Sequence, residues 1–185
     1  MSKRRPILVT FLVVAILGCD GTPVAPPPVH LATESVASVG GVELTASGGL
    51  HWTVPAQQFG VEIGNKLTFT AKKFADGTVS GRIDYHQEVD GVVVHLNARV
   101  TCLAVYDGNR VKYGGIVEVS NDPTIPPGSL FIWFQGVDNG EGASAAPDQS
   151  TIAGAGDEAA NEAFCASPDL PRFLFDVRGN LQVMP

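Results

Sequence analysis

The sequence predicts an all-β fold for residues 42–185: a single antiparallel β-sandwich or barrel of about seven to nine strands with at most one short helix. Three observations carry this. Apolar and polar residues alternate with period two from Val42 onward. The alternating runs are punctuated by Asp76-Gly77, Asp90-Gly91, Asp107-Gly108 and Asn139-Gly140, the dipeptides that tight hairpin turns select. Helical spacing is confined to the stretch "GDEAANEAF", residues 156–164, which is two turns at most.

The central hairpin, "RIDYHQEVDGVVVHLNARVTC", turns at Asp90-Gly91, a pair suited to a two-residue turn with positive φ at both positions. That register opposes Val89 to Val92, Gln87 to Val94, Tyr85 to Leu96 and Ile83 to Ala98. Continued, it sets Gly81 against Val100 and Val79 against Cys102. This nearly all-apolar face is the core face. The other face opposes Glu88 to Val93, His86 to His95, Asp84 to Asn97 and Arg82 to Arg99. A one-residue slip would mix the two, so the clean separation supports the register.

The hairpin before it, "LTFTAKKFADGTVSG", puts Leu67, Phe69 and Ala71 inward. A three-residue loop Ala75-Asp76-Gly77 with Gly77 left-handed keeps the faces consistent and opposes Phe69 to Ile83. "CLAVYDGNRVKYGGIVEV" reads as a further hairpin. "LFIWFQGV" is apolar on both faces, as a central or doubly covered strand requires. "FLFDVRGNLQVM" reads as a short terminal hairpin.

The N-terminal forty residues are organised differently. "SKRRP" is a charged segment and "ILVTFLVVAILG" an apolar one, the pattern of a secretory signal over residues 1–18. The run falls short of the roughly 20 apolar residues a helix needs to span a bilayer. Its end, Ile16-Leu17-Gly18-Cys19, resembles the lipobox of bacterial lipoproteins. The resemblance implies cleavage before Cys19, acylation of its thiol and acylation of the new N-terminus. Residues 19–41 then form an anchor and tether, in which Pro23, Pro26, Pro27 and Pro28 favour polyproline II at about 3.1 Å per residue. The expected location is outside the cytoplasm, lipid-anchored and facing the periplasm or the cell surface.

Charge excludes one class of partner. Twelve Lys+Arg and nineteen Asp+Glu give −7. Without Lys3, Arg4 and Arg5 nine basic residues face nineteen acidic ones, or −10. Such a surface repels phosphate backbones, so nucleic acid is not expected as a partner. The partners left are the membrane, through the anchor, and a protein or glycan. With Cys19 assigned to the lipid, Cys102 and Cys165 are expected to form a disulfide. The cysteines form no C-x-x-C pair, which argues against structural zinc. "FTAKKFADGTVSG", "CLAVYDGNRVKYGG" and "DNGEGASAAPD" resemble motifs of uncharacterised β-rich domains in secreted bacterial proteins and lipoproteins. This likeness, over roughly residues 59–183, implies a β fold and export and no particular activity.

Two sets of side chains are candidate metal ligands. On the polar face of the central hairpin His86 and His95 lie within cross-strand reach and can share a Zn²⁺ or Cu²⁺, with Asp84 or Glu88 as a third ligand and Asn97 beside them. In "VDNGEGASAAPDQS", Asp138, Asn139, Glu141 and Asp148 offer hard oxygen ligands suited to Ca²⁺, although their spacing is not that of an EF-hand loop. Trp52, Phe131, Trp133 and Phe134 are core or a stacking face, and Tyr106 and Tyr113 are candidate surface contacts. Asp157, Glu158 and Glu162 have helical spacing, as a solvated helix face does. The chain lacks a G-x-S-x-G elbow, an H-E-x-x-H motif and a P-loop. A binding or structural module is therefore the leading expectation. Its rivals are a metal-dependent or carbohydrate-active enzyme and a barrel that carries an apolar ligand.

Overall fold

The computed structural model describes residues 41–142, 144–169 and 173–184. The predicted signal, the expected lipidation site Cys19 and nearly all of the predicted tether lie outside the described residues. The described chain is all-β. Its strands are β1 (Val42–Val54), β2 (Ile63–Phe74), β3 (Val79–Val89), β4 (Val92–Tyr106), β5 (Arg110–Ser120), β6 (Phe131–Val137), β7 (Gln149–Ser150), β8 (Gly154–Gly156), β9 (Phe175–Asp176) and β10 (Arg178–Met184). They form one antiparallel sheet in the order β10-β1-β2-β3-β4-β5-β6-β7-β9, with β8 pairing β6. Because β9 and β10 adjoin in the chain but sit at opposite ends of that order, the sheet curls into a nearly closed barrel. Two helices accompany it, α1 (Ala56–Phe59) and α2 (Glu158–Ala166), one more than expected.

The predicted registers hold through the centre. Val89 pairs with Val92, His86 with His95 and Arg82 with Arg99 across β3 and β4. Asp90 and Gly91 both have positive φ, as the turn requires. Phe69 pairs with Ile83, and Gly77 is left-handed with φ 85°. The ladder between β3 and β4 ends at Arg82–Arg99, so the expected Gly81–Val100 and Val79–Cys102 pairs do not form. A register shift in β4 between Val100 and Cys102 is the reason. It adds a residue to the inward count, so Leu103 enters the core. Cys102, expected on the inward face, turns outward.

The interior is filled by aromatic and branched side chains. Phe69 stacks on Tyr113 with ring centroids 3.9 Å apart, and Phe134 packs at 5.8 Å from Tyr113 and 5.0 Å from Tyr85. Leu50, Leu67, Ile83, Ile132 and Leu181 complete this layer, all fully buried. Burying one such side chain contributes about 1.5–3 kcal/mol. Tyr113, read as a candidate surface contact, is a core residue.

Helix α2 covers the outer face of β4–β6, which explains why β6 is apolar on both sides. Asp157 caps it, its side chain accepting from the Ala160 amide at 2.9 Å. Its other end is held by donors from β4 and β5: Lys112 Nζ on Ser167 O, Arg110 on Pro168 O, both at 2.7 Å, and Tyr106 Oη on Cys165 O at 2.5 Å. Cations suit the negative end of a helix dipole. Burial, with Arg110 adding, holds the Lys112 pKa below the usual lysine value. Gly114 leaves room for the Asn161 carboxamide, which a Cβ there would strike. Asn161 then donates to Thr101 Oγ1 at 3.0 Å. The Cys102–Cys165 disulfide ties the same helix to β4, with Cα atoms 6.1 Å apart.

The terminal segment is not a hairpin. β9 pairs with β7 and β10 with β1, so the two run on to close the barrel. Gly179, within the segment expected as a hairpin, sits opposite Leu50, where a Cβ would collide with the carbonyl oxygen of Gly49.

Candidate functional site

The two predicted ligand sets meet different fates. Asp138, Asn139, Glu141 and Asp148 lie at the seam where β10 approaches the loop after β6. Asp148, 8 % exposed, accepts from the amides of Asn139 at 2.9 Å and Leu181 at 2.8 Å. Asp138 accepts from Gly140 at 2.8 Å and Val183 at 3.0 Å. Asn139 donates to Pro147 O, and Glu141 accepts from Gln182 at 3.4 Å. Leu181 and Val183 are the β10 residues whose amides point away from β1. The two aspartates therefore take the donors of an otherwise unpaired strand edge. Their oxygens aim at N–H groups, and the three carboxylates do not converge on a common point.

Asp84, His86 and His95 do converge. Among the described residues they form the one group of three ligand atoms lying within 4.8 Å of one another. Residues 84 and 86 are two apart on β3 and so share a face. His95 reaches that face from β4, directly opposite His86. The amide of His95 points away from β3 and donates to Asn121 Oδ1, just past β5, at 2.8 Å. His86 and His95 thus form the non-hydrogen-bonded kind of pair, whose side chains come closest. Their rings stack with centroids 3.9 Å apart. One carboxylate serves both: His86 Nε2 is 2.9 Å from Asp84 Oδ1 and His95 Nε2 is 3.3 Å from Oδ2. The three side chains are between a third and two-fifths exposed, so solvent reaches them.

Asn97 and Arg82 add a polar support. Arg82 Nε donates to Asn97 Oδ1 at 3.4 Å, which turns the amide nitrogen of Asn97 toward His95 Nε2 at 3.1 Å. His95 Nε2 therefore faces a donor and a carboxylate together. One ring nitrogen can carry a proton or a lone pair, not both. When it accepts from Asn97, its lone pair is engaged only 3.3 Å from an anionic oxygen, a contact that a cation displacing the Asn97 donor would relieve. Arg99, opposite Arg82, pairs with Glu118 at 2.9 Å. Glu88, one residue-pair along, is exposed and outside the convergent group.

The strands also align residues that the sequence did not place. His51 on β1 opposes Lys66 on β2, and Lys66 opposes His86. An outward row His51–Lys66–His86–His95 crosses four strands. His51 lies two strands from His86, about 10 Å, and outside the ligand set. Pairing β1 with β2 would have revealed the row, but no tight turn joins them to fix a register.

The aromatic candidates divide. Trp52, Phe131 and Phe134 are buried. Trp133 is half-buried beneath α2, 5.9 Å from Phe164. Its indole lies against Gly154, where a Cβ would clash. Tyr106 is half-buried against α2. Glu158 and Glu162 stay on the solvated side of the helix.

No protein-family model, curated protein or solved structure matches this chain. Among the described residues no helix is long and apolar enough to cross a membrane.

Proposed function

We propose that this protein is an extracytoplasmic binding module held to a membrane by a lipid on Cys19. The observation that carries the binding role is the convergence of Asp84, His86 and His95 on an accessible outer face. The filled barrel interior supports an external site over an internal one for an apolar ligand. Export is supported by the lipobox-like "ILGC" and by the Cys102–Cys165 disulfide, which is compatible with an oxidising compartment. The proline-rich stretch after Cys19 acts as a tether that lifts the domain from the bilayer. Two or more acyl chains give stable anchoring where one gives marginal residence.

Fractionation of cells expressing the parent chain and a Cys19→Ser variant tests the anchor. The parent is expected with membranes and the variant in the soluble fraction. A variant that still partitions with membranes defeats the lipoprotein reading.

A further inference from the structure

We infer that Asp84, His86 and His95 form a binding site for one divalent transition ion of borderline softness, Zn²⁺ or Cu²⁺. The inference deepens the reading of the β3–β4 outer face as a binding face by naming its ligand class.

The donor set selects the metal. Two imidazole nitrogens and one carboxylate oxygen suit Zn²⁺ and Cu²⁺, whereas Ca²⁺ and Mg²⁺ favour all-oxygen sites. The spacing agrees. A tetrahedral Zn²⁺ with bonds near 2.0–2.1 Å holds its ligand atoms about 3.3–3.4 Å apart. His95 Nε2 and Asp84 Oδ2 are already 3.3 Å apart, and His86 Nε2 is 2.9 Å from Oδ1. The two histidines meet different carboxylate oxygens and their rings stack with planes 15° apart, so binding requires one exposed imidazole to turn about its Cβ–Cγ bond until both Nε2 lone pairs aim at the ion. Three protein ligands leave a fourth position to water or an exogenous ligand.

The charge pattern also favours a cation. In the metal-free arrangement one carboxylate is bridged by two Nε2 atoms, one of which also faces the Asn97 amide donor. Entry of M²⁺ takes the two Nε2 lone pairs and one carboxylate oxygen; a neutral ring protonated at Nε2 changes to the Nδ1–H tautomer by exchange with solvent, and only a doubly protonated ring releases a proton. The Asn97 amide, which Arg82 orients toward this same Nε2, must give up the lone pair to the ion. The backbone is rigid here, because all three ligands sit within paired strands rather than loops.

The test uses the untagged full chain in detergent, freed of metal by chelator and titrated calorimetrically with zinc sulfate. Saturable uptake of one Zn²⁺ per chain is expected. His86→Ala, His95→Ala and Asp84→Ala should each weaken it at least about tenfold. His51→Ala, two strands away, should leave it unchanged. Circular dichroism of each variant separates lost ligands from lost fold. With Cu²⁺ in place of zinc, electron paramagnetic resonance should show coupling to two imidazole nitrogens in the parent and to one in either histidine variant. Absence of saturable uptake, or uptake unaltered in folded His86→Ala and His95→Ala variants, overturns the inference. That failure would leave the anchor untouched, since Cys19→Ser fractionation reports on the anchor alone.

Discussion

Asp148 offers the sharpest test of how the barrel closes. Its carboxylate accepts the amides of Asn139 and Leu181, and Leu181 is fully buried. Asp148→Ala removes both acceptors and leaves a buried N–H without a partner. A hydrogen bond to a charged group contributes about 1.5–3 kcal/mol, so the loss should reach about 3–5 kcal/mol. For a domain of this size that lowers the melting temperature by about 6–20 °C. Asp148→Asn keeps one oxygen but turns an amide N–H₂ toward the second donor, so it should fall between parent and alanine. Urea denaturation followed by tryptophan fluorescence and by circular dichroism measures this. The same melts in EDTA and in millimolar calcium separate a strand clasp from a cation site. A clasp gives the same melting temperature in both, whereas a site that binds calcium only when folded gives a rise with calcium. A loss below about 1 kcal/mol for Asp148→Ala would refute the clasp.

Replacing Cys102 and Cys165 together by alanine opens a loop spanning 63 residues. The chain-entropy account expects a stability loss of about 4 kcal/mol, read in the same denaturation assay. Gly114→Ala forces a methyl into the Asn161 carboxamide and should cost about 1–3 kcal/mol, with faster proteolysis near α2 as the local signature. Burial raises the pKa of Tyr85 and Tyr113 above the ordinary phenol value of 10.0. The folded chain then keeps protons that the unfolded chain releases, so their contribution is complete below pH 10 and is lost as pH rises beyond it. Tyr113→Phe should give a shallower alkaline decline in melting temperature, and an unchanged slope would contradict this.

The sequence shows most clearly what local rules control. Asp90-Gly91 demands positive φ twice, and with apolar residues on one face only one register survives. The turn and the apolar face together therefore place His86 opposite His95. Tight-turn logic also placed Gly77 and the Phe69–Ile83 pair. It failed where geometry depends on distant partners. The β4 register shift near Thr101 leaves no mark in the alternation, yet it turns Cys102 from the core toward α2. Gly179 falls in a segment that reads as a hairpin, but its need is close approach to Gly49, which comes from far along the chain. Asp138 and Asp148 look like cation ligands because the β10 edge that uses their oxygens is invisible until the barrel closes. Asp84 was legible because the strand period alone puts it beside His86.

The proposed ligand site lies on the outer face of the β3–β4 hairpin and not within the barrel. Heteronuclear NMR of the isotopically labelled, metal-free chain during zinc addition tests it residue by residue. Stoichiometric changes are expected in the imidazole signals of His86 and His95 and in the Asn97 side-chain amide, with the Leu67, Ile83 and Val100 methyls unmoved. Shifts concentrated in those core methyls, or imidazole signals that stay fixed past one equivalent, would contradict it.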